Sequence, residues 1–247
     1  MITSDDKPDD QDTPDDGASA HARGSFFGRR KGHKLRNHQA DLIDNLLPHL
    51  ALDISGSAAP ADLTELFEGE TTGVRLEIGF GGGEHLIAEA QAFPNVGFIG
   101  CEPYVNGMAK ILTQIEALNL RNIRLYAGDA AELLAWAPSA SMARIDLIHP
   151  DPWPKRRHWK RRFVQDATVA AMARIIRQGG EFRFVSDIDD YCAWTLAHLT
   201  RSPDFLWTAE RAIDWRQPWD GYTMTRYGRK AEREGRVAAY LRFRRNS

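Results

Sequence analysis

Five carboxylates recur at intervals along the middle of the chain: Glu77, Glu102, Asp129, Asp151 and Asp187. Each lies within or just after a short apolar run. The first is followed by a glycine-rich stretch, Gly79-Phe80-Gly81-Gly82-Gly83, in which the backbone can turn tightly and approach a ligand closely. A carboxylate such as Glu102 can accept hydrogen bonds from two ribose hydroxyls. Four of these acids, Glu77, Glu102, Asp129 and Asp151, would repel a pyrophosphate, which favours a helix N-terminus free of extra negative charge. The spacing is G-x-G-x-G, and Glu84 stands where a dinucleotide fingerprint has its third glycine. An acidic pocket instead suits a cationic sulfonium cofactor with an amino acid head, which is S-adenosyl-L-methionine.

Positioning these acids requires a regular scaffold. The apolar runs are VRLEIG at 74–79, VGFIGCE at 96–102, IRLYAG at 123–128, RIDLIH at 144–149 and EFRFVS at 181–186. Helical spacing fills 84–92, 105–118, 130–136, 160–177 and 188–200, and an earlier helix is expected over 39–50. A last strand is expected at 237–245. Strand and helix alternating at this spacing predict an α/β domain, Rossmann-like, with a mostly parallel sheet and helices on both faces. Ligands in such sheets bind beyond the carboxyl ends of the strands. All five acids are therefore expected at one edge.

The fourth of these runs leads into Pro150-Asp151-Pro152-Trp153. The prolines restrict the backbone on both sides of Asp151, and Trp153 offers a flat face to a base. Residues 155–162, KRRHWKRR, follow, with six of eight positions Lys or Arg. A second basic stretch occupies 23–36, with six Lys or Arg and no acid. A third lies near the C-terminus, from Arg226 to Arg245. Three basic stretches around an acidic pocket suggest phosphate contacts leading to a site of chemistry, with Arg161 and Arg162 among them. A folded RNA with splayed-out loop nucleotides is the expected partner.

The net charge of −2 conceals a division. Residues 1–20 carry −6 and the remainder +4. Residues 1–22 are expected to form a disordered acidic tail and 23–247 the functional domain with its basic arm. No run of about 18 apolar residues occurs, so no membrane segment is expected. Two cysteines, Cys101 and Cys192, without a CxxC pair, suit a reducing cytoplasm and offer no disulfide framework. His85, His149 and His158 are not spaced as metal ligands, and no metal is expected.

LEIGFGGGE, the PDPWPKRRHWKRR run, Ser186-Asp187, Thr225-Arg226-Tyr227 and the arm SFFGRRKGHKLR together resemble the bacterial tRNA (guanine-N7)-methyltransferases over about residues 23–245. The resemblance implies a class I methyltransferase fold and S-adenosyl-L-methionine as cofactor. It implies methylation of a guanosine in the tRNA variable loop, position 46. Cofactor contacts carry over to Glu77, Glu102, Asp129 and Asp151, beside Gly79 and Gly81 of the turn. Asp151 carries over as the active-site residue. Substrate contacts carry over to Lys155, Asp187, Thr225, Arg226 and Tyr227. The family pattern ends Thr-Lys/Arg-Phe/Tyr-Glu, whereas this chain has Gly228 in the last place. Alternatives are a methyltransferase acting on another RNA or a small molecule, and an inactive RNA-binding module. A monomer or homodimer is expected.

Guanine N7 has a free lone pair and needs no deprotonation, so positioning should dominate catalysis. Asp151 or Asp187 can accept from N1–H and the amino group of the guanine edge, and a carboxylate stabilises the positive charge that the base gains.

Overall fold

The computed structural model describes residues 32–246. The acidic tail and the basic arm up to residue 31 lie outside them. Helix α1 (Asn37–Asn45) and the short α2 (Leu47–Leu50) replace the single helix expected over 39–50. Pro48 has no N–H to continue the ladder, and the chain breaks at Leu46. The alternating body follows: β1 (Val74–Ile78), α3 (Glu84–Ala92), β2 (Gly97–Cys101), α4 (Val105–Leu118), β3 (Ile123–Tyr126), α5 (Ala130–Trp136) and β4 (Met142–Ile148). Then come α6 (Asp166–Ile175), β5 (Ile176–Ser186), α7 (Asp189–Arg201), β6 (Phe205–Trp207), α8 (Ile213–Arg216), α9 (Arg226–Arg233) and β7 (Ala239–Arg245).

The sheet order is β3-β2-β1-β4-β5-β7-β6. The first five strands are parallel, and β7 and β6 add antiparallel to the edge beyond β5. Strand order reverses between β1 and β4, which opens a crevice at their carboxyl ends. One core packs Leu76, Ile145, Leu147, Phe182 and Phe184 against α5, α6 and α7. The other packs Phe98, Leu86, Met108, Ile111 and Leu112 between the sheet, α3 and α4. Burial on both faces is why these strands read as apolar runs.

The expected helix over 160–177 divides in two. A 3-10 turn covers Arg156–Arg161, and α6 starts only after Gln165, which caps it with Thr168. On the α3 side of the sheet, side chains two apart on β1 and β4 meet a buried ionic network. Arg144 donates to Asp146 at 2.8 Å and also pairs with Glu89, which accepts from Arg75 at 2.8 Å. No helix among the described residues is long and apolar enough to cross a membrane.

Candidate functional site

A cleft of about 770 Å³ opens at the switch point, within the size range of small-molecule sites. Gly79, Gly81, Glu102, Asp129, Asp151 and Asp187 all line it, with Tyr227 from α9. Gly79 (φ 68°) and Gly81 (φ 57°) take left-handed backbone that side-chain-bearing residues rarely adopt. The resulting turn brings the Gly81 N–H to Glu102 Oε2 at 2.8 Å, while Glu102 Oε1 accepts from Tyr104 N at 2.9 Å. Burial pushes the Glu102 carboxyl up, and those two N–H groups oppose the shift. Asp129 caps α5, with Oδ1 accepting from Ala131 N at 2.9 Å. Its Oδ2 is buried and has no hydrogen-bond partner among the described residues. An acceptor left bare inside a cleft is costly unless a ligand satisfies it.

Glu77 differs from expectation. It belongs to β1 itself, and strand alternation turns it onto the α3 face, where Oε2 meets His85 Nδ1 at 2.8 Å. It lies beneath the turn, 4 % exposed, and is not among the residues lining the cleft. Four of the five strand-associated acids therefore share the edge, while Glu77 braces the turn through α3. Burial pushes its carboxyl up, against the pull of His85.

Asp151 lies at the mouth of the cleft between its two prolines. The cleft walls withdraw water from it and push its pKa above the ordinary range. Trp153 takes a left-handed turn (φ 42°), with the Arg161 guanidinium 5.1 Å from its ring centroid. The loop is anchored from below by Arg162. This residue is expected on a basic surface, yet it is buried. Its Nε donates to the Pro152 carbonyl at 3.0 Å, it pairs with Asp190, and Trp159, Tyr191 and Trp194 surround the guanidinium. Basic side chains reach the same lining, from Lys160, Arg161, Lys230 and Arg236. Lys155 is exposed at the start of the 3-10 turn, outside the cleft lining.

Helix α9 contributes Tyr227 and Lys230 to the lining. The buried Thr225 caps it, Oγ1 accepting from Gly228 N at 3.2 Å. Arg226 donates to Glu84 Oε1 at 2.6 Å and lies over Gly82, where any Cβ would collide with its guanidinium. Tyr227 is 51 % exposed and rests against Gly81. The place a side chain at 228 would take is already filled: a Cβ there would strike Met224 Sδ and lie 3.2 Å from His149 Nε2. Helix α9 escapes a periodicity reading because five of its eight residues are charged and its buried face is made only of the small Gly228 and Ala231. His149 and Arg236, the two partners of Asp187, were not singled out for this site either. The signal for His149 was its place directly before Pro150-Asp151. Among the described residues no cluster of three His, Cys, Asp or Glu could hold a metal ion.

Comparison with known proteins accords with this geometry. Residues 71–241 match a protein-family model described as "Putative methyltransferase". A tRNA (guanine-N(7)-)-methyltransferase of Bradyrhizobium diazoefficiens is 78 % identical over 222 residues, covering 90 % of this chain and 94 % of the relative. One from Rhodopseudomonas palustris is 73 % identical over 241 residues, covering 98 % and 90 %. Among solved structures, the 16S rRNA methyltransferase KamB aligns with a TM-score of 0.53 at 15 % identity, over 77 % of this chain and 96 % of that one. TrmN from Thermus thermophilus aligns at 0.51 and 14 %, over 73 % and 46 %. These two likenesses show the class I methyltransferase fold alone. With identity this high over nearly the whole chain, the protein belongs to the tRNA (guanine-N7)-methyltransferase family.

Proposed function

We infer that this chain methylates N7 of a guanosine in tRNA, in the variable loop at position 46, with S-adenosyl-L-methionine as donor. The observation that carries the reading is the bipolar cleft. Glu102, Asp129 and Asp151 bring acceptors to its lining, and Lys160, Arg161 and Lys230 bring cations to the same lining. Glu102, already fixed by two backbone N–H groups, would hold the ribose hydroxyls with its remaining lone pairs. The unpartnered Asp129 Oδ2 would accept from the adenine amino group. When bound, the cofactor supplies an electrophilic methyl group on a sulfonium sulfur that leaves as a neutral thioether.

The chain's own residues need supply no base, because N7 carries its own lone pair. They must hold the guanine in line and offset the positive charge that it gains. Asp151 is placed for both tasks, since its carboxylate can accept from the guanine edge and face the developing cation. Trp153 and Tyr227 both line the cleft and would offer rings to the base. The exposed Lys155 and Lys160 and the C-terminal arginines supply phosphate contacts. The test is incubation with unmodified tRNA and methyl-labelled S-adenosyl-L-methionine, followed by nucleoside analysis. Label in 7-methylguanosine supports the reading; label in any other nucleoside overturns it.

A further inference from the structure

His149 follows β4 with φ 49°, a left-handed backbone that side-chain-bearing residues rarely adopt. Its N–H still extends the ladder to Val185 O at 2.8 Å. The turn drives the imidazole into the wall of the cleft, where the side chain is 3 % exposed. There Nδ1 lies 3.1 Å from Asp187 Oδ1. The other carboxylate oxygen, Oδ2, accepts from Arg236 Nε at 2.5 Å, and Arg236 pairs in turn with Glu234. A carboxylate can only accept, so the Nδ1 atom carries the proton and donates. Burial, seconded by Arg236, outweighs the pull of Asp187 and keeps the imidazole below the ordinary histidine pKa. Nε2 has no hydrogen-bond partner among the described residues and packs against Gly228.

Asp187 is thus gripped on both oxygens, by a neutral donor and by a cation. Burial opposes its charge, yet Arg236 and His149 outweigh that and hold its carboxyl below the ordinary range. A carboxylate tethered at both oxygens cannot rotate, and each oxygen keeps a lone pair to offer. We propose that His149 is a positioning residue that, with Arg236, sets the plane of the Asp187 carboxylate so that it receives the donor edge of guanine. This rests on the reading of Asp187 as a substrate contact. It gives a use to the left-handed turn at His149, which in this structure brings the ring Nδ1 to Asp187. It also gives Gly228 a purpose, because a side chain there would press on the imidazole.

The test exploits two isosteric residues that both tolerate left-handed backbone. In Asn the amide nitrogen is as many bonds from Cβ as Nδ1 is in His, so His149→Asn keeps the donor. His149→Asp has the same shape but sets a second carboxylate against Asp187. The readouts are kcat/KM for unmodified tRNA and the Kd of S-adenosyl-L-methionine, on the full-length chain. His149→Asn is expected within about threefold of wild type, and His149→Asp about tenfold or more lower, the worth of one lost hydrogen bond to a charged group. Cofactor Kd should stay within about twofold in both. Equal damage from Asn and Asp, or equal tolerance of both, overturns the proposal. Asp187→Ala separates the two layers: if it leaves tRNA kinetics unchanged, the reading of Asp187 fails and His149's role with it. If it is impaired while His149→Asp is not, only the role of His149 fails.

Discussion

Arg162 reaches Pro152 from beneath the Pro150–Trp153 loop, its Nε donating to the proline carbonyl at 3.0 Å. A basic run that reads as one phosphate-binding surface is therefore divided by burial. Arg156, Arg157 and Lys160 face solvent, whereas Arg162 is locked among Trp159, Tyr191 and Trp194. The carbonyl it holds belongs to the residue after Asp151, so the ionic pair with Asp190 also ties the loop to α7.

The two kinds of arginine should respond differently to neutralisation. Arg157→Ala or Lys160→Ala should weaken tRNA binding and flatten the slope of log Kd against log salt by about 0.7–0.9 per charge. Arg162→Met should leave that slope unchanged. It should instead lower stability by about 1–3 kcal/mol, because the Pro152 carbonyl and Asp190 lose their donor. Salt titrations of tRNA binding and thermal unfolding check both halves. A shallower slope for Arg162→Met would return this residue to the RNA surface.

Asp151→Asn should lower kcat by about 100-fold, the scale of one lost transition-state contact. The Kd of S-adenosyl-L-methionine should move by no more than about twofold. Burial raises the pKa of Asp151, and in the proposed role it acts as the ionised form. Turnover should therefore fall on the acid side at a pH above the ordinary carboxylate value of about 4. The Asn variant should lack that limb. A pH profile of kcat under single turnover reads this directly, and an unchanged acid limb in Asp151→Asn would assign it to another group.

Asp129→Asn keeps an oxygen to cap α5 but can turn an amide donor toward the cofactor. Calorimetry should show S-adenosyl-L-methionine binding about tenfold or more weaker, the cost of an unmatched buried pair. Unfolding temperature without cofactor should change little. Unaltered affinity would detach Asp129 Oδ2 from adenine recognition.

The parallel body was legible because its strands are buried on both faces and its helices carry an apolar stripe. Helices α3, α4 and α5 lie within the bounds their spacing predicts, and the mostly parallel order follows from the alternation. What escaped was encoded in other ways. Helix α9 is held by the Thr225 cap and by Arg226 docking to Glu84, and it buries only the small Gly228 and Ala231, too little to show a period. Strand β6 is three residues long, too short to show a period. At the site, acids just beyond strand ends reached the cleft, whereas Glu77, two residues before the turn, followed the alternation of β1 away from it. The burial of Arg162 depends on aromatic residues of α7, some thirty positions later, which no local charge count contains.

The central claim is transfer of a methyl group to N7 of one guanosine in the variable loop. The most direct measurement compares two unmodified tRNA transcripts, identical except that adenosine replaces the variable-loop guanosine in the second. Both are incubated with this protein and methyl-labelled S-adenosyl-L-methionine, and the nucleosides are resolved. The account predicts label in 7-methylguanosine from the first transcript and none from the second. Label that persists in the second transcript, or that appears in a different nucleoside, would contradict it.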